Sequence, residues 1–411
     1  MARLSLAQAV RPMTSMRSSG LSRSARNFSS SSAFGLKAVF TETDNPELNE
    51  TLKNIQEKII FPAYLPEKQR KLVFDAKSKT FLQQNPVIIE LDGLEHKFTT
   101  LDRFKDIPNS KVALFNALKF MKTKEDWDNL GTLLAGYKKA GIRVRPAQYM
   151  RVIRQAGRND QIYSIIECVK QAQKTGFELN TMEYIITLLS LISKQKITGA
   201  APGNAKPVDG LRWTEEIIDL LQRSPHVNED LPASQQAHNH PLIRGQLMFA
   251  QASAVQSLKL QEKPFDKELA DLSDSAEALV SWWTRQVKEG EEIHTPATID
   301  NMRPHKKDGV KNLKGHAASF GSSEWVRVLV LNIKAMSMAR EVVGDAAKGL
   351  QPVEQKLEEV LAEFVGDLPR YNARSAQVYE DIIGKKPTWA LPAETAAEPA
   401  TEPATELTTE A

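Results

Sequence analysis

The sequence predicts an all-α protein, an α-solenoid of helix-turn-helix repeats with a period of 35 residues and a small β-hairpin near 87–101. Three observations support this class. Apolar residues recur at helical spacing over most of the chain. The segment 112–145 aligns with the segment 147–180, and a glycine follows the second helix of each. Because a two-helix unit cannot bury its apolar face alone, neighbouring units must stack.

Residues 1–28 have the composition of a mitochondrial transit peptide, or presequence. They contain five arginines and many serines, and the first acidic residue of the whole chain is Glu42. Cationic, acid-free amphipathic segments of this kind are typical of import into mitochondria, whose interior is electrically negative. We therefore expect the protein in the mitochondrial matrix. The alternative is a disordered basic arm that binds nucleic acid.

An N-terminal helical segment is predicted over residues 45–105, with the hairpin inside it. Helical periodicity fills residues 45–84. A β-branched run at 87–91 then meets Asp92-Gly93, and an alternating run follows at 96–101. Two extended runs around an Asp-Gly pair favour a hairpin.

The helical repeat region is predicted over residues 111–290. Its third unit starts at Thr181 and is interrupted by an insertion at 195–211, which is rich in Gly, Pro, Ala and Lys. The helix that follows resumes near Trp213. The other helices of the region are expected at residues 112–121, 126–139, 146–156, 161–174, 241–262 and 266–288.

The remaining residues divide into three parts. A basic loop is expected at 291–322, and C-terminal helices at 323–385, near 323–346, 352–365 and 369–384. The segment 386–411 ends in repetitive Ala, Glu, Pro and Thr, which predicts a disordered acidic tail.

Charge and cysteine content exclude several classes of protein. Without the five arginines of 1–28, 49 basic and 51 acidic residues remain, a net charge of −2. This is not a strongly basic nucleic-acid-binding body, although residues 111–180 hold thirteen Lys and Arg against six Asp and Glu. The lone cysteine, Cys168, excludes an internal disulfide, and we expect a buried thiol. No apolar run is long enough to predict insertion into a membrane.

The motifs of enzymes and of cofactor-binding proteins are not found in the sequence. It contains no phosphate-binding Gly-Lys-Ser/Thr loop, no dinucleotide glycine pattern and no nucleophile elbow. His238 and His240, with His226 nearby, lie in a polar stretch without cysteine partners, which does not favour a metal site. We therefore predict a protein without catalytic activity, metal or cofactor.

The repeat resembles the pentatricopeptide repeat family. The period of 35, the segment ends 140–145 and 175–180, and the aromatic residues Tyr149 and Tyr184 early in the first helices carry this resemblance. It implies an organellar protein that acts on RNA in processing, stability or translation, or as a component of the ribosome. In that family the first helices of the repeats line the concave face and contact single-stranded RNA.

The expected RNA contacts are to phosphates. At the positions where the family has small polar base-reading residues, this chain has Phe115, Met150 and Ile185. Lysine and arginine at solenoid spacing suit a phosphate backbone. The alternatives are a solvated face and a loop that is simply disordered. The candidates are Lys111, Lys119, Arg151 and Arg154 on the first helices, Arg145 at a repeat end, and Lys306 and Lys307 in the basic loop.

The sequence thus predicts a non-enzymatic, RNA-associated factor in mitochondrial gene expression. Its partner would be mitochondrial RNA or the mitochondrial ribosome, through transcript binding, translation or a place in the ribosome. A helical scaffold that binds proteins, as an assembly factor for a respiratory complex or for the mitochondrial ribosome, is the alternative. The near-neutral charge and the apolar base-reading positions favour this alternative.

Overall fold

The structure is a computed structural model that describes residues 36–199, 205–232, 235–284, 299, 302–304, 321–367, 372–387 and 389. These residues are mostly helical, as predicted. No helix among them combines the length and apolar character that crossing a membrane requires. The predicted presequence 1–28 lies outside the described residues, as do most of the predicted basic loop 291–322 and of the predicted acidic tail 386–411.

The N-terminal segment contains three α-helices, with a π-helical turn at Gln56–Ile60 and 3-10 turns at Phe61–Tyr64 and Ala76–Ser78. Helix α1 (Pro46–Ile55) begins after Asn45, because the Asn45 side chain accepts a hydrogen bond from the Leu48 N–H at 3.1 Å. Two shorter helices follow, α2 (Glu67–Val73) and α3 (Lys79–Gln84). The predicted helical character of this segment is thereby confirmed.

The predicted hairpin follows α3. Strands β1 (Ile88–Leu91) and β2 (Leu94–Lys97) pair antiparallel. Asp92 and Gly93 in the turn have φ of 49° and 81°, which is why an Asp-Gly pair suits a two-residue hairpin. The hairpin and the short helices enclose a small core of Phe61, Leu65, Val73, Leu82, Val87 and Phe98.

The repeat region begins with helices close to their predicted positions. They are α4 (Ser110–Phe120), α5 (Lys124–Lys139), α6 (Pro146–Arg158), α7 (Ile162–Lys170), α8 (Ala172–Thr175), α9 (Met182–Ile192) and α10 (Pro207–Leu220). The single helix predicted over 161–174 is broken at Gln171, so α7 and α8 take its place.

The insertion predicted at 195–211 is shorter than expected. Helix α9 continues into a π-helical turn, Ser193–Ile197, and α10 begins at Pro207 rather than near Trp213. The side chains of Ile197 and Leu211 are buried, so both ends of the segment pack into the core. Proline also suits the first turn of a helix, where its missing N–H is not needed.

Two pairs of positions 35 residues apart have matching environments in the first two units. Trp127 and Ile162 are both fully buried. Gly141 and Gly176 both have φ of +72°, the left-handed conformation predicted for the glycine after each second helix. Across the units, α5 packs against α7 and α8, and α6 packs against α9.

The C-terminal helices also lie close to where they were predicted. They are α11 (Pro241–Leu260), α12 (Asp266–Thr284), α13 (Ser322–Val343), α14 (Gln351–Asp367) and α15 (Asn372–Ile383). Helix α13 is apolar on most sides because it is surrounded by α9, α11, α12, α14 and α15. One main core runs continuously from α1 to α15.

Candidate nucleic-acid interface

Helices α4 and α6 carry most of the predicted RNA-binding cations, and their starts are fixed by hydrogen bonds. The Asn109 side chain accepts a hydrogen bond from the Lys111 N–H at 3.0 Å, which places Lys111 in the first turn of α4. The Arg145 N–H donates to the Gln148 side chain at 2.7 Å, just before α6. Lys111 and Arg145 are both exposed.

Arg151 connects the two helices. Its guanidinium carbon lies 3.9 Å from the centre of the Phe115 ring, a cation–π contact between α6 and α4. The exposed Lys119 has its Nζ 5.8 Å from the ring centre of Phe120 on its own helix. The structure thus places the exposed Arg151 side chain against the Phe115 ring on α4.

Four of the predicted cations are exposed and form no ion pair within the described part of the chain: Lys111, Lys119, Arg145 and Arg151. We call them the unpaired cations. Positive side chains without carboxylate partners keep their full charge for phosphate oxygens. The unpaired cations are therefore the part of the predicted site that remains available.

Arg154 has a different environment, although Lys119 is its equivalent one repeat earlier. Its Nη2 lies 3.5 Å from the carboxylate of Glu183 on α9 and 3.5 Å from that of Glu324 on α13. The Glu183 side chain is almost completely buried. Arg154 therefore joins α6 to two other helices, and its charge is already compensated.

The three apolar residues at the expected base-reading positions do not face a free groove. Met150 and Ile185 are 4% and 1% exposed and belong to the main core. Phe115 is half-buried beneath Arg151. A base cannot reach the buried Met150 and Ile185 side chains, so this surface is better suited to phosphates.

Tyr149 and Tyr184 have structural roles where the second unit meets the third, and their rings lie 6.4 Å apart. The Tyr149 hydroxyl donates to the Gly176 carbonyl oxygen at 2.9 Å, and its ring lies 4.5 Å from that of Phe177. Burial raises the pKa of Tyr149 to about 12, with help from the nearby Glu178 carboxylate. The pKa of Tyr184 is also raised by burial. Both hydroxyls stay neutral near physiological pH.

Some parts of the site could not be located from the sequence. Lys306 and Lys307 lie outside the described residues. Glu324 is distant from Arg154 in the chain, and no periodicity links the two residues. Glu183 stands out in the sequence as an acidic residue inside the apolar first helix of the third unit. Its ion-pair partner could not be inferred from the sequence.

His226 and His240, two of the histidines considered as metal ligands, have structural roles. The His226 Nδ1 accepts a hydrogen bond from the Leu179 N–H at 3.1 Å, and its Nε2 faces the Val169 carbonyl oxygen at 3.1 Å. His240 caps α11 by accepting from the Leu242 N–H. Within the described ranges, no group of three His, Cys, Asp or Glu side chains is placed to bind a metal ion. Cys168 is buried, as predicted.

Comparison with known proteins decides the family. The family model for mitochondrial ribosomal protein mS27 matches residues 26–381. The chain belongs to the mitochondrial ribosomal protein mS27 family. The small ribosomal subunit protein mS27 of Neurospora crassa is 31% identical over 208 residues, which cover 50% of this chain and 52% of that relative. The chain thus matches about half the length of this curated mS27 relative.

The matched family is one of mitochondrial ribosomal proteins, which confirms the predicted location in the mitochondrial matrix. The predicted ribosomal partner and role in translation agree with the names of the family and of the relative. Families of ribosomal proteins are generally structural, and the description of this one names no catalytic activity. The pentatricopeptide resemblance is compatible with mS27.

Proposed function

We propose that this protein is a structural component of the small subunit of the mitochondrial ribosome, in the matrix, and that it contacts RNA through α4 and α6. Membership of the mS27 family and the similarity to a small-subunit ribosomal protein of Neurospora crassa support the ribosomal part of the proposal. The arrangement of the unpaired cations supports the RNA part. The protein acts by binding and needs no catalytic group.

The observation that carries the RNA contact is the stack of Arg151 on Phe115. A guanidinium held at 3.9 Å over a ring is fixed in orientation before any ligand arrives, which lowers the entropy lost on binding. Its second face can stack on a base, and its N–H groups can donate to phosphate oxygens. Lys111, Lys119 and Arg145 add positive charge without choosing a sequence.

Arg154 has a smaller share in this proposal than the unpaired cations. Its two carboxylate partners offset its charge, so its main effect is on stability. Lys306 and Lys307 remain proposed phosphate contacts in the basic loop 291–322, on composition alone.

The repeats themselves are proposed to be degenerate pentatricopeptide-like units in a solenoid of period 35. The matched glycines Gly141 and Gly176 and the matched buried pair Trp127 and Ile162 support this for two units. Helices α9 and α10 supply a third pair, with a short insertion between them. The array then meets α11 and α13, which pack against α9 and cover it.

A protein-binding scaffold, such as an assembly factor for a respiratory complex or for the mitochondrial ribosome, is the second candidate. The burial of Met150 and Ile185 favours it, because it removes the base readout that a sequence-specific RNA factor needs. In this case the unpaired cations would be a solvated face or a contact for acidic side chains.

Sedimentation of the tagged chain with small ribosomal subunits, at low and at raised salt, tests the proposal. The test variant is Lys119→Glu/Arg151→Glu, and the matched control is Lys259→Glu/Lys263→Glu, two exposed lysines near the end of α11. We expect the wild type and the control to sediment with the subunit. The test variant should bind about tenfold more weakly and more sensitively to salt.

The outcomes separate the two candidates. Absence of the wild-type chain from the subunit would contradict the ribosomal proposal. Normal sedimentation of the test variant at both salt concentrations would contradict the RNA face on α4 and α6 and would support the scaffold.

A further inference from the structure

The turn between the hairpin and α4 is closed by its own hydrogen bonds. The Asp102 N–H donates to the Asp106 carboxylate at 2.8 Å, and the Phe104 N–H donates to the Asp102 carboxylate at 2.8 Å. The Asp106 N–H donates to the Asp102 carbonyl oxygen at 2.9 Å. Both aspartates therefore turn their charge towards backbone donors, in the manner of Asx turns.

Both ends of this turn are anchored. The Leu101 N–H donates to the Val73 carbonyl oxygen at 2.8 Å, and the Leu101 side chain packs on the small core. At the other end, Ile107 packs on the main core. Residues 102–106 therefore form a preorganised projection between two cores.

Phe104 stands at the tip of the projection and is 95% exposed. A single exposed apolar side chain is not unusual by itself, and it is the fixed turn and the charges beside the ring that point to a ligand. Leu260, at the end of α11, is 86% exposed and shows a comparable degree of exposure without a hydrogen-bonded turn of this kind around it.

Two cations flank the ring along the chain. The Arg103 guanidinium lies 4.9 Å from the ring centre of Phe74, which holds it beside the turn. Lys105 is exposed and forms no ion pair with the described residues. The exposed ring thus stands between two cations, and the two aspartates at the ends of the turn direct carboxylate oxygens towards backbone N–H groups.

We propose that this projection is a second RNA contact, in which Phe104 stacks on an unpaired base and Lys105 and Arg103 bind the adjoining phosphates. Aromatic rings bind bases of any sequence through their faces, and lysine or arginine next to the ring meets the backbone. An apolar pocket of a protein would instead have to cover two cations, which are costly to desolvate. This proposal rests on the proposed function, because the ribosome would be the source of the RNA with unpaired bases.

Photo-crosslinking from position 104 in the assembled particle tests the proposal. The variant Phe104→p-benzoylphenylalanine keeps an aromatic group, and the same amino acid at Leu260 is the control for exposure alone. After irradiation of small subunits that contain the full chain, we expect an RNA adduct from position 104 at least several-fold above that from position 260. A protein adduct, or an RNA adduct no stronger than the control, would overturn the proposal.

Binding of the purified full chain to a short oligouridine gives an independent measurement. Phe104→Ala should raise the Kd about tenfold, whereas Phe104→Trp should leave it unchanged, because tryptophan also stacks. Equal affinities for Phe104→Ala and wild type would contradict the stacking role. Absence of the chain from the subunit would count against the proposed function only, and the oligouridine result would then decide the role of Phe104.

Discussion

Two arginines of α6 differ in role although they lie one helical turn apart. Arg151 has its charge over the Phe115 ring, and Arg154 shares its charge with Glu183 and Glu324. The first arrangement leaves the cation free for a phosphate, and the second connects helices. Binding and stability should therefore respond to different substitutions in the same helix.

Arg154→Met is expected to lower the free energy of unfolding by about 1–3 kcal/mol, since it takes a partner from the nearly buried Glu183 carboxylate. The affinity for RNA should change far less than in Lys119→Glu/Arg151→Glu, because Arg154 is engaged by two carboxylates. Thermal unfolding and RNA titration of the same variant check both statements. A large loss of RNA affinity with unchanged stability would show that Arg154 is a phosphate contact after all.

The stability of the protein should depend on pH through His226. Burial lowers the pKa of His226, although the hydrogen bond to the Val169 carbonyl opposes this shift. The folded state therefore favours neutral imidazole, whose Nδ1 accepts from the Leu179 N–H. The unfolded state binds more protons just below its own pKa of about 6.5. The stabilisation is thus complete above this pKa and declines as the pH falls through the folded-state pKa.

Urea unfolding at pH 7.5 and at pH 5 measures this dependence. The wild type should lose stability at the lower pH, and His226→Gln should lose less, since it has no proton to gain. Some decline should remain in His226→Gln, because burial also lowers the pKa of His96 and of His238. An equal decline in both proteins would contradict the assignment to His226.

At the scale of elements, the junction of two repeat units depends on a glycine in left-handed conformation. Gly176 has φ of +72°, and a Cβ atom there would lie 3.3 Å from the Tyr149 hydroxyl. We expect Gly176→Ala to destabilise the protein by about 1–2 kcal/mol, from backbone strain and the crowded hydroxyl. Gly366→Ala is the matched control, since that glycine lies near the end of α14 with open space around it.

The control should be neutral or slightly stabilising, by up to about 0.5 kcal/mol, because alanine favours a helix. Chemical denaturation of both variants gives the comparison. If Gly176→Ala were as stable as Gly366→Ala, the left-handed geometry of the repeat end would not matter for folding.

The contact between α11 and α13 requires a second glycine. A Cβ at Gly245 would lie 1.7 Å from the Asn332 Oδ1, and Asn332 donates to the Leu242 carbonyl oxygen at 3.2 Å. Gly245→Ala should therefore force the two helices apart and destabilise by about 2–3 kcal/mol. The double variant Gly245→Ala/Asn332→Ala should be more stable than the sum of the single effects. Strict additivity would contradict the proposed clash.

Most elements could be predicted from the sequence because their signals are local. Periodicity located the helices of the first two units, and Asp92-Gly93 located the hairpin turn. Tertiary packing overrode the local pattern elsewhere. The glycine- and proline-rich stretch predicted a long insertion, but buried Ile197 and Leu211 shorten it. No feature of the amino-acid composition indicates the break between α7 and α8 at Gln171.

The candidate site was only partly predictable for the same reason. Repeat spacing placed Lys119 and Arg154 at equivalent positions. Their different environments arise because Glu324, on the later helix α13, reaches only Arg154. The exposed Phe104 was not singled out, because exposure of a lone phenylalanine in a loop follows from tertiary structure.

For the whole molecule, the near-neutral charge outside 1–28 is consistent with a protein that contacts RNA over a limited face. The positive excess of residues 111–180 is balanced elsewhere, with many acidic residues near the C-terminus. A continuous main core from α1 to α15 holds α4 and α6 in fixed positions relative to the rest of the described fold. The helices that carry the RNA contacts are therefore ordered before RNA binds, and no free energy of binding is lost in ordering them.

Ultraviolet crosslinking in intact mitochondria, followed by purification of the small ribosomal subunit and mass spectrometry of peptides that carry a nucleotide, tests the RNA contact most directly. We expect to find the chain in the subunit, with nucleotide adducts on peptides from α4 and α6 that include Lys119 or Arg151. Recovery of the chain in the subunit with adducts only on other segments, or with none, would contradict an RNA contact through these two helices.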